Sequence, residues 1–201
     1  MPRRAGLDKA MVVQTAADLA NAEGIDALSL GRLAERLGVR TPSLYNHVDG
    51  LPGLYRELSL LNIRRLGERL SNAAIGKAGP DAVMAVAQAY REHIKESPGL
   101  YMASLRAAGN QAPAGIELRA AEDRVVQIGL AVLASFGLSG EDGLHAVRAL
   151  RSVVHGFATL EVAGGFGLPL DCDESFRRLS SAAISLNMLE PLLAPIAAVH
   201  S

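Results

Sequence analysis

The 201-residue chain has no tryptophan, a single cysteine and only 4% aromatic residues. A lone thiol, Cys172, cannot close an internal disulfide, which excludes a disulfide-stapled scaffold and fits a reducing, cytoplasmic setting. With so few rings, small aliphatic side chains must fill the core. An excess of one charge is also missing. Lys and Arg number 20 against 21 Asp and Glu, a net charge of -1, so the whole molecule cannot coat nucleic acid as a polycation and any affinity for it must come from a local patch. Long hydrophobic runs are absent. The apolar window 125–138 is shorter than the roughly 20 residues that cross a bilayer. The window 182–199 is interrupted by Asn187, Glu190, Pro191 and Pro195, so no membrane partner is expected. The opening Met-Pro-Arg-Arg-Ala-Gly carries no secretory pattern.

Catalytic and metal-binding patterns are equally scarce. His47, His93, His145, His155 and His200 include no pair at four-residue helical spacing, and there is no cysteine cluster, so no metal is expected. Cys172 stands between Asp171 and Asp173, whose carboxylates discourage a nucleophilic thiolate. Gly164-Gly165-Phe166-Gly167 has no strand before it and therefore does not read as a nucleotide loop. Neither an enzyme nor a cofactor is indicated.

What is present is helical punctuation. Twenty glycines and nine prolines fall where helices stop and start, no alternating strand pattern of useful length intervenes, and the chain reads as all-α. Asp8 can cap a first helix that Gly24 ends. Leu30, Leu33, Ala34 and Leu37 give the next helix one buried face, and Gly38 closes it. A second short helix follows, with Thr41 placed to cap it and Pro42 at its first position. Longer helices follow over about 51–75, from Pro80 to the break at Ser97-Pro98, from Pro98 to Gly109, and over roughly 113–136. Ser139 with Asp142 forms a capping-box pattern for a helix to Ala163, and Asp173-Glu174 begins the last.

Two short helices about a glycine turn fit the DNA major groove. With Leu44 and Val48 inward, Arg40, Ser43, Tyr45, Asn46 and His47 remain on the outer face. Arg32, Arg36 and Arg40 stand against Glu35 alone, and an N-terminal arm adds Arg3, Arg4 and Lys9. The first fifty residues are nonetheless balanced, with six basic and six acidic side chains, so the positive charge has to be sorted in space. The same two-helix pattern also occurs in all-α proteins that bind no DNA, which leaves a ligand-binding or interaction module as the alternative.

The helix from Ser139 to Ala163 is apolar on two sides. Ala146, Ala149, Val153, Gly156, Leu160 and Ala163 form a small-residue face. Leu144, Val147, Val154, Phe157 and Ala158 form the other. The last helix offers Phe176, Leu179, Ala183, Leu186 and Leu193. Pairing of two copies through these helices into a four-helix bundle is one explanation, and burial in a single larger core is the other.

Met11 to Leu54, with Ala16-Ala17, Leu19, Gly24, Leu28-Ser29-Leu30, Leu33-Ala34, Leu37-Gly38-Val39 and Leu44-Tyr45-Asn46-His47-Val48, resembles the DNA-binding domain of tetracycline-repressor (TetR) type transcription regulators. The family usually has a lysine four residues after the histidine, holding phosphate. Here that place is Leu51, which leaves the backbone amides of the helix start for the task. The resemblance implies a reading domain at residues 1–50 and a ligand-binding and dimerisation domain at 51–201. Its DNA contacts would be Arg3, Arg4, Ser29, Arg40, Thr41, Pro42, Ser43, Tyr45, Asn46 and His47, with operator DNA, a second copy and a small-molecule effector as partners. Tyr90, His93, Tyr101, Met102, Leu105, Phe136 and Phe157 are candidates for lining an effector pocket, although each could equally be core. The segment Val154-His155-Gly156-Phe157 through Gly167 further resembles a C-terminal subtype named for Trp, His and Gly, without its tryptophan.

Overall fold

The computed structural model describes residues 7–109 and 115–184, so Arg3, Arg4, Leu186 and Leu193 lie outside the described residues. Eight α-helices occupy this span: α1 (Lys9–Glu23), α2 (Leu30–Leu37), α3 (Gly50–Ala74), α4 (Gly79–Glu96), α5 (Pro98–Gly109), α6 (Ile116–Leu133), α7 (Gly140–Val162) and α8 (Cys172–Ile184), with no strand among the described residues.

The punctuation acts physically where it was expected to. Asp8 accepts from the amide of Met11 at 2.7 Å at the start of α1. Gly38 takes the left-handed conformation (φ 67°, ψ 32°), and the amides of Gly38 and Val39 close back onto the carbonyls of Glu35 and Ala34, an arrangement that a Cβ would strain. Three local expectations differ. Thr41–Asn46 winds as a 3-10 helix, and Thr41 is its first residue rather than the cap before it, so no side chain caps its amides. Ser139 stands in the extended cap position of α7 but makes no capping bond. The helix expected over 113–136 runs as α6 to Leu133 and then tightens into a 3-10 turn, Ala134–Phe136, which Gly137 ends at φ 76°.

The chain divides into two compact units, Met1–Arg65 with Ser97–Ala121, and Leu66–Glu96 with Glu122–Ser201. The boundary expected after residue 50 coincides with the first turn of α3, whereas the division falls within that helix. In the first unit, Val12, Ala16, Leu33, Leu44, Leu54, Leu58 and Leu100 are fully buried in one apolar core, and α5 crosses α1 closely enough that Gly99 faces the backbone of Ala20 and Asn21. In the second, α4 and α7 pack together and α8 lies on both. Leu66, Leu70, Val83, Val86, Ile94, Leu138, Ala146, Val154, Ala158 and Phe176 are buried there.

Candidate nucleic-acid interface

The short helix Thr41–Asn46 is anchored from below. Leu44 is fully buried and Val48 nearly so, which turns Arg40, Pro42, Tyr45 and Asn46 outward and leaves Thr41, Ser43 and His47 half-exposed. Tyr45, at 59% exposure, is a large ring with no burial to explain it. Such a ring with a phenolic tip suits contact with sugar and phosphate. Two turns of tight helix over two buried anchors therefore turn Arg40, Pro42, Tyr45 and Asn46 to the surface.

The cations around this face are sorted by their partners. Arg32 is occupied: it binds Glu23 at 2.8 Å and Glu35 at 3.0 Å, and the Glu23 hydrogen bond raises its already high pKa. Lys9 pairs with Glu57 at 2.6 Å. Arg36 and Arg40 have no ion pair among the described residues and are exposed, so they are the arginines available to phosphate or bases. Ser29 caps α2 by accepting from the amide of Arg32 at 3.2 Å, which leaves its hydroxyl proton to donate elsewhere.

At the start of α3 the backbone offers less than the sequence suggested. Gly50 donates to the carbonyl of Val48 and Gly53 to that of Asp49, while Pro52 has no N–H. The amide of Leu51 is the one left in this turn, because its neighbours' donors are spent or missing. Leu51 itself is half-buried against the apolar core. A side chain that sequence reasoning missed stands in the vacancy. Arg56 folds back along α3, its Nη2 at 3.6 Å from Asp49 Oδ2, over Gly53, where a Cβ would meet that same nitrogen at 3.5 Å and the Cβ of Asp49 at 3.0 Å. The seven-residue spacing from Asp49 to Arg56, two helical turns, was the available signal.

The second unit holds the remaining candidates. On α7 the face Gly143, Ala146, Val154 and Ala158 is buried within the chain, while Leu144 and Leu160 are about half exposed. Ala146 and Phe176 are each 1% exposed. They are core residues and cannot present a dimer face, a correction that follows from α7 turning its small Ala146 side toward its own unit. Ala149, Val153 and Gly156 are half-buried, Leu160 is exposed and Leu179 is half-buried, while Ala183 falls in the last turn of α8. Of the effector candidates, Tyr101 (buried), Met102 (41% exposed) and Leu105 lie on α5 in the first unit. Tyr90 and His93, both buried on α4, belong to the second, as do Phe136 and Phe157.

Beneath Phe157 lies a network that the sequence did not reveal. The side chain of Arg91, 1% exposed, makes a two-pronged pair with Glu161, Nε to Oε2 at 2.7 Å and Nη2 to Oε1 at 2.6 Å, and also reaches Asp173 at 2.7 Å. Lys95 adds a contact to Glu161 at 2.7 Å. The guanidinium carbon sits 4.9 Å from the ring centre of Phe176 and 5.5 Å from that of Phe157. The Arg91 hydrogen bond holds the Glu161 carboxyl below its ordinary range, aided by Lys95 and opposed by burial. Among the described residues no group of His, Cys, Asp and Glu is placed to hold a metal ion, and no single helix is long and apolar enough to cross a membrane.

A helix-turn-helix with an exposed second helix, carried by an all-α chain, defines the class: a DNA-binding transcriptional regulator. Residues 83–183 match the family described as tetracyclin repressor-like, C-terminal domain. An uncharacterised HTH-type transcriptional regulator of Bacillus subtilis (strain 168), YobS, is 32% identical over 87% of this chain and 90% of its own. A second, Rv0681 of Mycobacterium tuberculosis (strain ATCC 25618 / H37Rv), is 37% identical over 81% of this chain and 73% of its own. Among solved structures, a variant of TetR from Acinetobacter baumannii AYE in complex with minocycline superposes with a TM-score of 0.68 at 22% identity, covering 92% of this chain and 98% of that one. The chain belongs to the TetR family.

Proposed function

We propose that this regulator is a cytoplasmic repressor that binds a palindromic operator as a homodimer and leaves it when a small apolar or aromatic molecule binds. The observation that carries the reading is the exposed Tyr45, with Arg40, Pro42 and Asn46, over the buried Leu44 and Val48. Residues 1–50 act as the reading head and residues 51–201 as the response and pairing domain. Arg40, Thr41, Pro42 and Ser43 lie near base edges, Asn46 beside them, and Tyr45, His47 and Ser29 hold phosphate and sugar, with Arg3 and Arg4 as an arm. No catalytic role is assigned.

One short helix meets few base pairs. Two related by a twofold axis read half-sites about 34–36 Å apart or a multiple of that. Ala149, Val153, Gly156, Leu160, Leu179, Ala183 and Leu186 are the candidates for that pairing. Tyr90, His93, Tyr101, Met102, Leu105, Phe136 and Phe157 remain the candidates for the effector, and the minocycline complex of the A. baumannii relative supports a small-molecule signal. The Val154-His155-Gly156 segment supports the Trp-His-Gly subtype for the C-terminal domain. Selection of bound genomic fragments followed by footprinting tests the reading: two protected half-sites are the expected result, and a single half-site bound by a monomer overturns the dimer.

Substitutions separate positioning from base reading. Tyr45→Ala is expected to weaken binding to all sequences alike, whereas Arg40→Ala costs about 1–3 kcal/mol at particular base positions and relaxes preference there. Gel-shift titrations on operator and scrambled duplexes distinguish the two, and equal losses on both duplexes for both variants contradict the division.

The start of α3 gives a further expectation. Asp49, 92% exposed at its side chain, competes with phosphate for Arg56, so Asp49→Asn should tighten DNA binding. Arg56→Gln should loosen it and lower the slope of log affinity against log salt by roughly 2, one phosphate contact from each copy of the dimer. A slope unchanged in Arg56→Gln removes that residue from the interface.

A further inference from the structure

Where α7 ends, the chain turns through Gly164 (φ 68°) and crosses to α8 through Gly165-Phe166-Gly167-Leu168-Pro169-Leu170-Asp171. This connection walls a cavity of about 380 Å³ with Phe157 of α7 and Cys172 and Ser175 of α8. The cavity belongs to the second unit alone. It is a cleft open to solvent on one side rather than an enclosed cavity, and its lining is mainly rings and aliphatic groups with a few polar atoms. Phe166 leans on Phe157 with ring centres 4.7 Å apart and planes at 43°. Phe157 in turn meets Phe176 at 5.1 Å, and the buried Arg91 stands against both of those rings. Phe157 is thus held from behind.

Two of the lining residues are glycines. A Cβ at Gly165 would press on Leu160, with the carbonyl oxygen at 3.1 Å and Cδ2 at 3.2 Å, so that wall is tight. A Cβ at Gly167 would meet no atom within 4 Å. The polar groups are partly used: the Ser175 hydroxyl donates to the carbonyl of Asp171 at 2.9 Å. No charged side chain lines the pocket, and Leu168 and Leu170 stand 75% and 69% exposed at its edge.

We propose that this pocket is a binding site for a small, uncharged aromatic molecule, its ring packed against Phe157 and Phe166 and covered by Leu168 and Leu170. The absence of a lining charge selects against ionic ligands, because an ion entering it would lose hydration without gaining a partner. The site lies apart from the effector candidates on α4 and α5 and includes one other candidate, Phe157 of α7. It therefore stands or falls without the reading of the chain as an effector-released repressor.

The chain carries its own reporter. Cys172 is the single cysteine and lines the pocket, and the lack of tryptophan leaves naphthol fluorescence unobscured. The full-length protein is titrated with 1-naphthol while alkylation of Cys172 by iodoacetamide is followed by mass. Saturating 1-naphthol is expected to slow alkylation by roughly tenfold, the protection afforded when about nine in ten sites are filled. Phe166→Ala, which removes one stacking wall, is expected to weaken naphthol binding by about tenfold, and Gly167→Leu, which adds bulk at a lining position, is expected to change it as well. Thermal melts check that each variant folds.

Naphthol that binds without slowing alkylation sits elsewhere and overturns the proposal, as does wild-type affinity in both folded variants. Alkylation that slows with protein concentration alone, before naphthol is added, shows a second copy filling the pocket and overturns it too. None of these results bears on whether another compound releases DNA through the residues on α4 and α5, which a gel shift reads separately.

Discussion

Replacing Gly99 with alanine is expected to destabilise the first unit by about 3 kcal/mol, the upper part of the range for overpacking a close contact. Gly99 is buried in the first turn of α5, where that helix crosses the end of α1. A Cβ there would overlap the carbonyl group of Ala20 and lie 2.6 Å from the amide nitrogen of Asn21. Both are backbone, so no side-chain rotation relieves the clash. The carbonyl of Ala20 also accepts the amide of Gly24 at 3.0 Å, the bond that ends α1, and Asn21 Oδ1 accepts the amide of Leu100 at 2.9 Å. Moving the helices apart would loosen the second of these bonds, which joins α5 to α1. Because α1 supplies Val12 and Ala16 to the core under Leu33 and Leu44, the damage reaches the reading face. Urea denaturation of Gly99→Ala, followed beside DNA affinity, should show both falling. An unchanged midpoint would mean that the crossing relaxes at little cost.

The second large effect lies in the other unit. Arg91→Ala is expected to cost about 3 kcal/mol, the low end for breaking a buried pair, since Glu161, 13% exposed at its side chain, keeps Lys95 alone as its partner. The vacated space between Phe157 and Phe176 adds to the loss. Arg91→Met combined with Glu161→Leu should cost less than Arg91→Ala alone, because the pair's desolvation disappears with both charges. The network also sets an acid limit. Glu161 is held below its ordinary range by the Arg91 hydrogen bond, so its contribution to stability is complete above the unfolded carboxylate pKa and is lost as pH falls through the depressed folded value. Glu161→Gln should therefore lower stability at neutral pH and flatten its decline below about pH 4.3. A parallel decline in both proteins assigns the acid sensitivity to other carboxylates.

Much of this architecture is written in local rules. Gly38 ends α2 because a left-handed residue is needed there, and Asp8 caps α1 because its carboxylate reaches a free amide. Leu44 and Val48, four apart, fixed which side of the short helix would face out. The failures have a common physical origin in packing that local rules do not determine. Thr41 and Ser139 have capping chemistry, but one lies a residue inside its helix and the other makes no capping bond. On α7 the apolar residues were legible, but their division into two faces was not: the buried side takes Ala146 from one expected face and Val154 and Ala158 from the other. Only the neighbouring helices decide that Ala146 and Ala158 are inside while Leu144 and Leu160 are left half-uncovered by their own unit. Arg91 was invisible for a related reason. It sits among Ala87, Ala89, Tyr90 and Ile94 on α4, and its partners Glu161 and Asp173 are brought to it by two other helices. Ligand-lining residues are harder still, since Tyr90 and His93 obey the same burial pattern whether they face a cavity or a core.

The pairing of Arg32 with Glu23 and Glu35 has a consequence for how this regulator finds its site in a cell. Each arginine spent internally is one fewer ion displaced from the duplex, and it is displaced ions that give a protein its indiscriminate hold on any DNA. With Arg36, Arg40 and the half-engaged Arg56 as the uncommitted cations beside the described reading face, chromosomal DNA at large should compete weakly for it. On the proposed reading, occupancy of an operator would then rest on base contacts rather than on bulk attraction.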